Sequence, residues 1–522
     1  MKTRKLSGLK AQHILLTVFA CLLAIVPLLE AAPAPRPDIV IILADDLGYG
    51  DLGCYGARLV KTPNIDRLAR EGMRFTRAYA PYPVCTPSRY GLLTGKHYFR
   101  AAGRAWDPER RLLIEPSDPT IASLLKSGGY ETACIGKWHL GFGAAGHDFN
   151  KPLSPGPLEA GFGYFFGTPN GHGESPCVFV ENDRVVGLEK NDPICLPNGE
   201  GPRTPVVGGS AALAVYQQAD PAELYVEKST AWIHENKDRP FFLYLAPENV
   251  HVPVAPGKRF RKSSNAGDYG DFIQELDWMV GEVLDALEAE GLSDKTLVIL
   301  GSDNGGMQHR QALDMGHRSN GPLLGQKTDM WEGGTRIPLI ARWPGHIPVD
   351  TVSSSLLCLT DLLPTIATIT GIPLPEDASL DGTDALSLFT SPAPASPPRS
   401  GLLTSGIPLP DGSETFAVYD GKWVFLPFQT SRGVTTLWSW GVPLKDFHHE
   451  NSDYDENGTL RPDAAPAQLY DLAADPEQHT NLYSKYPEAV EKMTRALTQQ
   501  TQQRHSASKR RAACESEPEV AK

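Results

Sequence analysis

Asp38-Ile-Val-Ile-Ile-Leu-Ala44, followed at once by Asp45-Asp46-Leu-Gly-Tyr-Gly50, frames the reading of the whole chain. The first seven residues are β-branched or aliphatic with no polar alternation, as a strand buried on both faces of a sheet must be. Phe241-Phe-Leu-Tyr-Leu245 and Thr296-Leu-Val-Ile-Leu300 have the same character. Between those two runs, Ile273, Leu276, Val280, Val283, Leu284 and Leu287 fall at helical spacing and predict an amphipathic helix covering the sheet. From Pro37 to about Gly371, apolar runs alternate with helical periods. The pattern predicts an α/β fold in which a large mixed β-sheet is sandwiched by helices.

Beyond Gly371 the texture changes. Pro392 to Pro398 is a Pro/Ala/Ser stretch suited to a linker. From Gly401 to about Lys492 the chain has short strand-like runs, tryptophans at Trp423, Trp438 and Trp440, and a terminal helical segment. A smaller C-terminal α+β domain with an antiparallel sheet is expected there. Residues 499–522 are polar and charged and are expected to be disordered. The expected division is therefore 1–32, 36–395, 399–498 and 499–522.

A chain of 522 residues with 41% hydrophobic and 21% charged residues has the composition of a packed globular protein with more than one domain. Its net charge of -13, from 49 basic and 62 acidic residues, argues against nucleic acid as a partner held by bulk electrostatics. A local basic pocket for anions remains compatible with that balance. Lys2, Arg4, Lys5 and Lys10 precede an almost wholly apolar run, Ile14 to Leu29, and small residues and prolines follow in Ala31 to Pro37. This is the pattern of an export signal over residues 1–32, and it implies a periplasmic or extracellular protein. The run falls short of the ~20 residues of a membrane span, so an uncleaved anchor is the lesser alternative and no stable span is expected. Eight cysteines include Cys21 inside the signal. Export permits disulfides, and Cys177 and Cys195, which flank a short polar insert, are the expected pair.

Chemistry concentrates at strand ends, where ligands gather in open α/β sheets. Asp45 and Asp46 are adjacent carboxylates that repel one another unless a cation or a basic group neutralises them. They could equally be turn formers. Ser302-Asp303-Asn304-Gly305-Gly306 repeats the arrangement after another buried strand and adds a carboxylate and an amide. Three carboxylates and one amide suit Ca²⁺ or Mg²⁺ rather than zinc, which prefers His and Cys. Cys85-Thr-Pro-Ser-Arg89 opens an apparent helix, a position that favours anions, and Arg89 adds to that preference. On its own this cysteine is compatible with a buried structural thiol or with a thiolate nucleophile.

Cys85-Thr-Pro-Ser-Arg89-Tyr-Gly-Leu92-Leu-Thr94-Gly95 resembles the signature of the formylglycine-dependent sulfatases, members of the alkaline phosphatase superfamily, at every fixed position. Gly129-Tyr-Glu-Thr-Ala-Cys-Ile-Gly136-Lys137-Trp138-His139-Leu140-Gly141 resembles the second signature of that family. The Asp45-Asp46 and Asp303-Asn304 pairs are similar to its calcium ligands. His251, Lys327 and the closing motif Leu469-Tyr-Asp471 through Asn481-Leu482 also have counterparts there. The resemblance runs from about Pro37 to Leu482, and it implies an alkaline phosphatase-like fold, a Ca²⁺ ion and oxidation of Cys85 to formylglycine by a formylglycine-generating enzyme.

What the resemblance implies chemically is hydrolysis of a sulfate ester. Hydrated formylglycine carries two hydroxyls on one carbon. One attacks sulfur as the alcohol leaves; deprotonation of the other re-forms the aldehyde and expels sulfate, an exit that a serine or cysteine lacks. Asp45, Asp46, Asp303, Asn304 and the modified Cys85 would ligate the metal. Arg89, Lys137 and Lys327 would surround the sulfuryl oxygens with positive charge. His139 would be the base for sulfate release. His251, with Lys327, would protonate the leaving group. The expected substrate is a sulfated carbohydrate or another sulfate ester. A phosphate or phosphonate ester hydrolase of the same fold, or a non-catalytic protein that binds sulfated glycans, are the alternatives.

Overall fold

The computed structural model describes residues 36–515 except 102–110, 116–117, 144–146, 200, 203, 376–377, 380, 410–411, 430–441 and 447–449. The segment expected to be an export signal, with Cys21, and Trp438 and Trp440 lie outside the described residues. From Asp38 onward the chain is one compact unit. Among the described residues no helix is long and apolar enough to cross a membrane.

The main sheet has eleven strands. Its principal members are β1 (Asp38–Ala44), β2 (Met73–Tyr79), β3 (Glu131–Gly136), β4 (Tyr164–Gly167), β5 (Phe241–Ala246), β6 (Thr296–Ser302) and β7 (Arg336–Arg342). Across the middle they run β2-β7-β6-β1-β5-β3-β4, with short strands at both edges. The contacts β6–β1, β1–β5, β5–β3 and β3–β4 are parallel, whereas β7 is antiparallel to both β6 and β2. The expected mixed α/β sheet is thus present.

The uniform apolarity of β1 has a direct cause. Ile39, Ile41 and Leu43 enter one core, while Val40, Ile42 and Ala44 enter another on the opposite face. The second core is closed by α1 (Pro63–Arg70), α3 (Pro221–Asn236) and α4 (Gly267–Ala289). The six apolar residues that predicted α4 are all buried there. On the first face, α2 (Cys85–Thr94) contributes Tyr90, Leu92 and Leu93.

The smaller antiparallel sheet comprises β8 (Leu402–Gly406), β9 (Thr415–Tyr419), β10 (Trp423–Leu426) and β11 (Gln468–Asp471), paired in that order. One face, through Leu403, Val418, Phe425 and Leu469, packs with Met493 of the terminal helix α5 (Pro487–Glu515). The other face shares a core with the larger part of the chain: Leu402, Ala417, Tyr419, Val424 and Tyr470 pack with Tyr79, Leu324, Met330 and Trp331. The stretch Pro392–Pro398 therefore separates two sheets that share one core, the smaller sheet having a second core of its own with α5.

One expectation needs correction. Cys177 and Cys195 are both free. The Cys177 thiol donates to the Glu174 carbonyl (3.4 Å), and exposed Cys195 is engaged through its backbone in a bridge to Val207. The backbone of α5 runs helical from Pro487 to Glu515. Its first turns are anchored by the apolar contacts of Ala489, Val490 and Met493, and helical propagation costs little once a nucleus is fixed.

Candidate active site

Because β6, β1, β5 and β3 are parallel neighbours, their carboxyl ends lie side by side and deliver four consecutive loops to one place. Ala44 pairs with Ser302, so Asp45-Asp46 and Asp303-Asn304 emerge together. Leu245 is in register with both Ile42 and Ile135, which brings the loop to His251 and the Lys137–His139 segment to the same edge. The two acidic loops approach closely: a Cβ on Gly306 would stand 2.6 Å from the Gly48 Cα, so the glycines after Asp303-Asn304 are required for contact.

Helix α2 points its start into this cluster. Cys85 is its first residue, and the preceding Val84 supplies no side-chain cap, which leaves the helix N-terminus available to an anion. Arg89, one turn along, is fully buried. Its Nη2 and Nε donate to Asp303 Oδ2 at 2.7 and 3.0 Å, and its Nη1 donates to the Lys137 carbonyl at 3.3 Å.

Each cation has a carboxylate. Lys137 Nζ donates to Asp45 Oδ2 at 2.6 Å. Lys327 Nζ reaches both oxygens of Asp46. Asn304 Nδ2 donates to Asp46 Oδ1 at 2.8 Å, and the Asp46 amide donates to Asp303 Oδ1 at 3.1 Å. His251 Nε2 is 3.7 Å from Asp46 Oδ2 while its Nδ1 faces the Val252 carbonyl at 2.5 Å. His139 stands at the rim, its ring Nε2 4.0 Å from Glu174 and its carbonyl accepting from Thr86. All ten residues singled out from sequence thus come to the ends of these strands, to the start of α2 and to the Lys327 loop. His139 is the most peripheral.

Electrostatics follow from burial and charge. Burial opposes ionisation of Asp45, but Lys137, His251, Arg89 and Lys327 together outweigh it and hold the carboxyl well below its ordinary range. Burial, joined by the neighbouring Asp45, pushes Asp303 up to about 7 in spite of Arg89. Burial and Lys327 drive His251 down to about 3, so its ring is neutral. The Cys85 thiol is raised by burial, with Lys137 and Lys327 pulling the other way.

These donors fit a hard divalent cation. Asp45 Oδ1 and Asn304 Oδ1 are buried and accept no hydrogen bond. Buried oxygens without donors are costly unless something positive meets them. Ligand atoms of Asp45, Cys85 and Asp303 lie within 4.8 Å of one another, as do those of Asp45, Asp46 and His251. The all-oxygen character of the main set favours Ca²⁺ or Mg²⁺.

Several neighbours brace the site from other segments; of these only His172, as a residue that could line the substrate cleft, was suggested by the sequence. His172 Nε2 lies 2.8 Å from the His251 carbonyl, and its ring is stacked with Phe272. Asp51 accepts from the Gly48 amide (2.7 Å) and the Tyr269 hydroxyl (2.6 Å), and its other oxygen lies 2.8 Å from His317 Nε2, bracing the loop that carries Asp46. Their partners come from distant segments, so no local spacing exposes them. From the smaller sheet, Gln468 Oε1 accepts from Trp331 Nε1 at 2.9 Å, behind the Lys327 loop.

Comparison with known proteins accords with this geometry. The Sulfatase family model matches residues 37–372. An N-acetylgalactosamine-6-O-sulfatase of Bacteroides thetaiotaomicron is 35% identical over 500 residues, spanning 88% of this chain and 92% of its own length. Arylsulfatase A of Homo sapiens is 34% identical over 488 residues, spanning 90% of this chain and 87% of its own. A solved structure from work on the metabolism of multiple glycosaminoglycans by Bacteroides thetaiotaomicron superimposes with a TM-score of 0.77 at 34% identity, covering 89% of this chain and 99% of that one. The phosphonate monoester hydrolase of Agrobacterium radiobacter, at 18% identity and a TM-score of 0.59, shares the fold alone. The chain belongs to the sulfatase family and is a sulfuric ester hydrolase.

Proposed function

We propose that this enzyme is exported and removes sulfate from sulfated carbohydrate, with Cys85 oxidised to formylglycine and Ca²⁺ held by Asp45, Asp46, Asp303 and Asn304. The observation that carries this reading is the convergence, within 4.8 Å, of ligand atoms of Asp45, Asp303 and Cys85 at the open start of a helix, beside buried Asp45 and Asn304 oxygens that accept no hydrogen bond, Arg89 Nη2 standing 3.5 Å from the first. Bound there, the cation would polarise the sulfuryl oxygens and stabilise negative charge as it develops. Formylglycine would supply a hydroxyl nucleophile and a second hydroxyl through which sulfate can be released.

The chain's own residues do the rest. Arg89, held by Asp303, keeps the Cys85 side chain and the acidic loop in fixed relation. Lys137 and Lys327 present ammonium groups, each already oriented by a carboxylate, to the non-bridging oxygens. His251, neutral with its Nδ1–H donating to the Val252 carbonyl, turns an accepting Nε2 toward the cluster, so the proton that meets the departing ester oxygen comes from the Lys327 ammonium. His139 takes a proton at Nε2 during sulfate release, with the Glu174 carboxylate nearby to stabilise the cation that results. Sulfated carbohydrate is favoured by the export pattern and by the relative that acts on N-acetylgalactosamine 6-sulfate, which makes a 6-O-sulfated amino sugar the first substrate to test.

The test has two arms. Mass spectrometry of the peptide containing Cys85, from protein exported by a host that makes formylglycine, is expected to show the aldehyde, and an unmodified, fully active cysteine would overturn the mechanism. Matched aryl sulfate and aryl phosphate esters then separate the chemistries: sulfate release should dominate and vanish in Cys85→Ala, and faster phosphate release would reassign the substrate class.

A further inference from the structure

In a chain with a net charge of -13, Lys258-Arg-Phe-Arg-Lys262 places four cations within five residues. The usual fate of such a run is a solvated face with each base paired to a nearby carboxylate. Several surface bases follow that rule, Arg67 with Asp285, Lys228 with Glu181 and Lys237 with Glu290, while single bases such as Lys61 and Lys126 have no ion pair among the described residues. Here a whole run departs from it. Lys258, Arg259, Arg261 and Lys262 are all exposed, and none has an ion pair among the described residues.

The loop is built to keep them free. Two buried carboxylates lie beneath it on α4, Asp271 and Glu275, and both are occupied by backbone. Asp271 accepts from the amides of Lys262 and Ser264, and Glu275 accepts from the amide of Gly257. The acids therefore fix the loop's path from inside, while the basic side chains are exposed, Arg261 Nε also donating to the Pro256 carbonyl at 3.4 Å. Arg259 is further ordered: its guanidinium lies 4.8 Å from the Trp278 ring centroid and 5.2 Å from that of Phe260. A stacked guanidinium loses less freedom on meeting a planar pair of anionic oxygens.

Placement links the patch to the active site. The same Glu275 that holds Gly257 also accepts from Asn249 Nδ2 at 2.8 Å, two residues before His251. Lys258 follows His251 by seven residues, so it can lie no more than ~25 Å away, the reach of a short oligosaccharide.

We infer that the 258–262 loop, with Trp278, is a second anion-binding surface that holds a sulfated polysaccharide chain whose sulfate ester occupies the active site. The inference rests on the proposed carbohydrate substrate. Its chemistry asks for a polymer carrying several sulfates, and a small aryl sulfate would not span the distance.

The experiment compares the metal-loaded, full-length enzyme with Lys258→Gln/Arg259→Gln/Arg261→Gln/Lys262→Gln, and with Lys258→Gln/Lys262→Gln, which leaves the Arg259 stack intact. Binding to dextran sulfate is measured across a salt series, alongside turnover of an aryl sulfate and of a sulfated glycosaminoglycan. Aryl sulfate turnover should stay within about twofold. Dextran sulfate affinity at low salt should fall by about tenfold or more, and the log–log salt slope by roughly three for four lost contacts. The double variant should show about half the change in slope. Unchanged affinity and slope in the fourfold variant would overturn the proposal. So would tighter binding of phosphatidylserine vesicles than of dextran sulfate, lost on the same substitutions, since it would reassign the patch to a membrane surface. Loss of dextran sulfate binding in a protein that hydrolyses no sulfated carbohydrate would sustain the patch and overturn the substrate reading instead.

Discussion

Lys327 reaches both oxygens of Asp46, at 2.8 and 2.9 Å, from far along the connection between β6 and β7. Each partner is almost fully buried, so the pair is exchanged for water only at high cost. Lys327→Met should lower kcat/KM on an aryl sulfate by roughly 10²–10³, the range for removing one preorganised donor to a developing anion. It should also destabilise the metal-free fold by about 3–5 kcal/mol, because Asp46 would remain buried without its cation. Steady-state kinetics and denaturant titration measure the two losses separately.

Asp45 Oδ1 and Asn304 Oδ1 predict the response to chelation. Stripping divalent cations should abolish turnover, and it should lower stability by about 2.7 kcal/mol relative to enzyme in Ca²⁺ at a hundredfold excess over Kd. Calcium should restore both and zinc should not. Calorimetry with and without a chelator reads the stability change directly.

Asp329, two residues after Lys327, predicts a pH dependence of stability. Burial pushes its carboxyl up to about 8; Oδ2 accepts from the Gln326 amide, and Oδ1 has no donor. The folded protein then holds a proton that the unfolded chain, with an ordinary carboxyl near 3.8, has already lost. Stability should fall as pH rises from about 4 to about 8 and level off above that. Asp329→Asn keeps an acceptor for Gln326 and carries no charge, so it should remove this slope. Its advantage over the parent should grow across that window in urea melts at a series of pH values.

Gln468 predicts that the smaller sheet supports catalysis. Its Oε1 accepts from both Trp331 Nε1 and the Tyr470 hydroxyl. Gln468→Ala would leave two buried donors unmet, at about 1–3 kcal/mol each. The melting temperature should drop, and kcat should fall as the Lys327 loop loosens, although Gln468 is far along the chain from any residue proposed to touch substrate.

What could be read from sequence was what is local in sequence. β1, β5 and β6 announced themselves because burial on both faces leaves no room for polar alternation. The Asp45-Asp46 and Asp303-Asn304 pairs stood out because each follows such a run directly. Lys137, His251 and Lys327 became legible only through family resemblance, since a lone lysine or histidine has no periodic signature. Glu174 beside His139, and the Asp51–His317–Tyr269 brace, depend on where loops return in space, which no spacing encodes. The same holds for Cys177 and Cys195, whose separation in sequence suggested a bond absent from the fold.

The core shared by Tyr79, Trp331, Tyr419 and Tyr470 has a temporal consequence. Trp331 leaves the ribosome 139 residues ahead of Tyr470, a delay of roughly 10–30 s at ordinary elongation rates. Throughout that interval the segment bearing Lys327 lacks its backing. A nascent or prematurely terminated chain is therefore inert until its last strand arrives, and a stop codon anywhere before Gln468 should yield a protein that fails in quality control before it fails in catalysis.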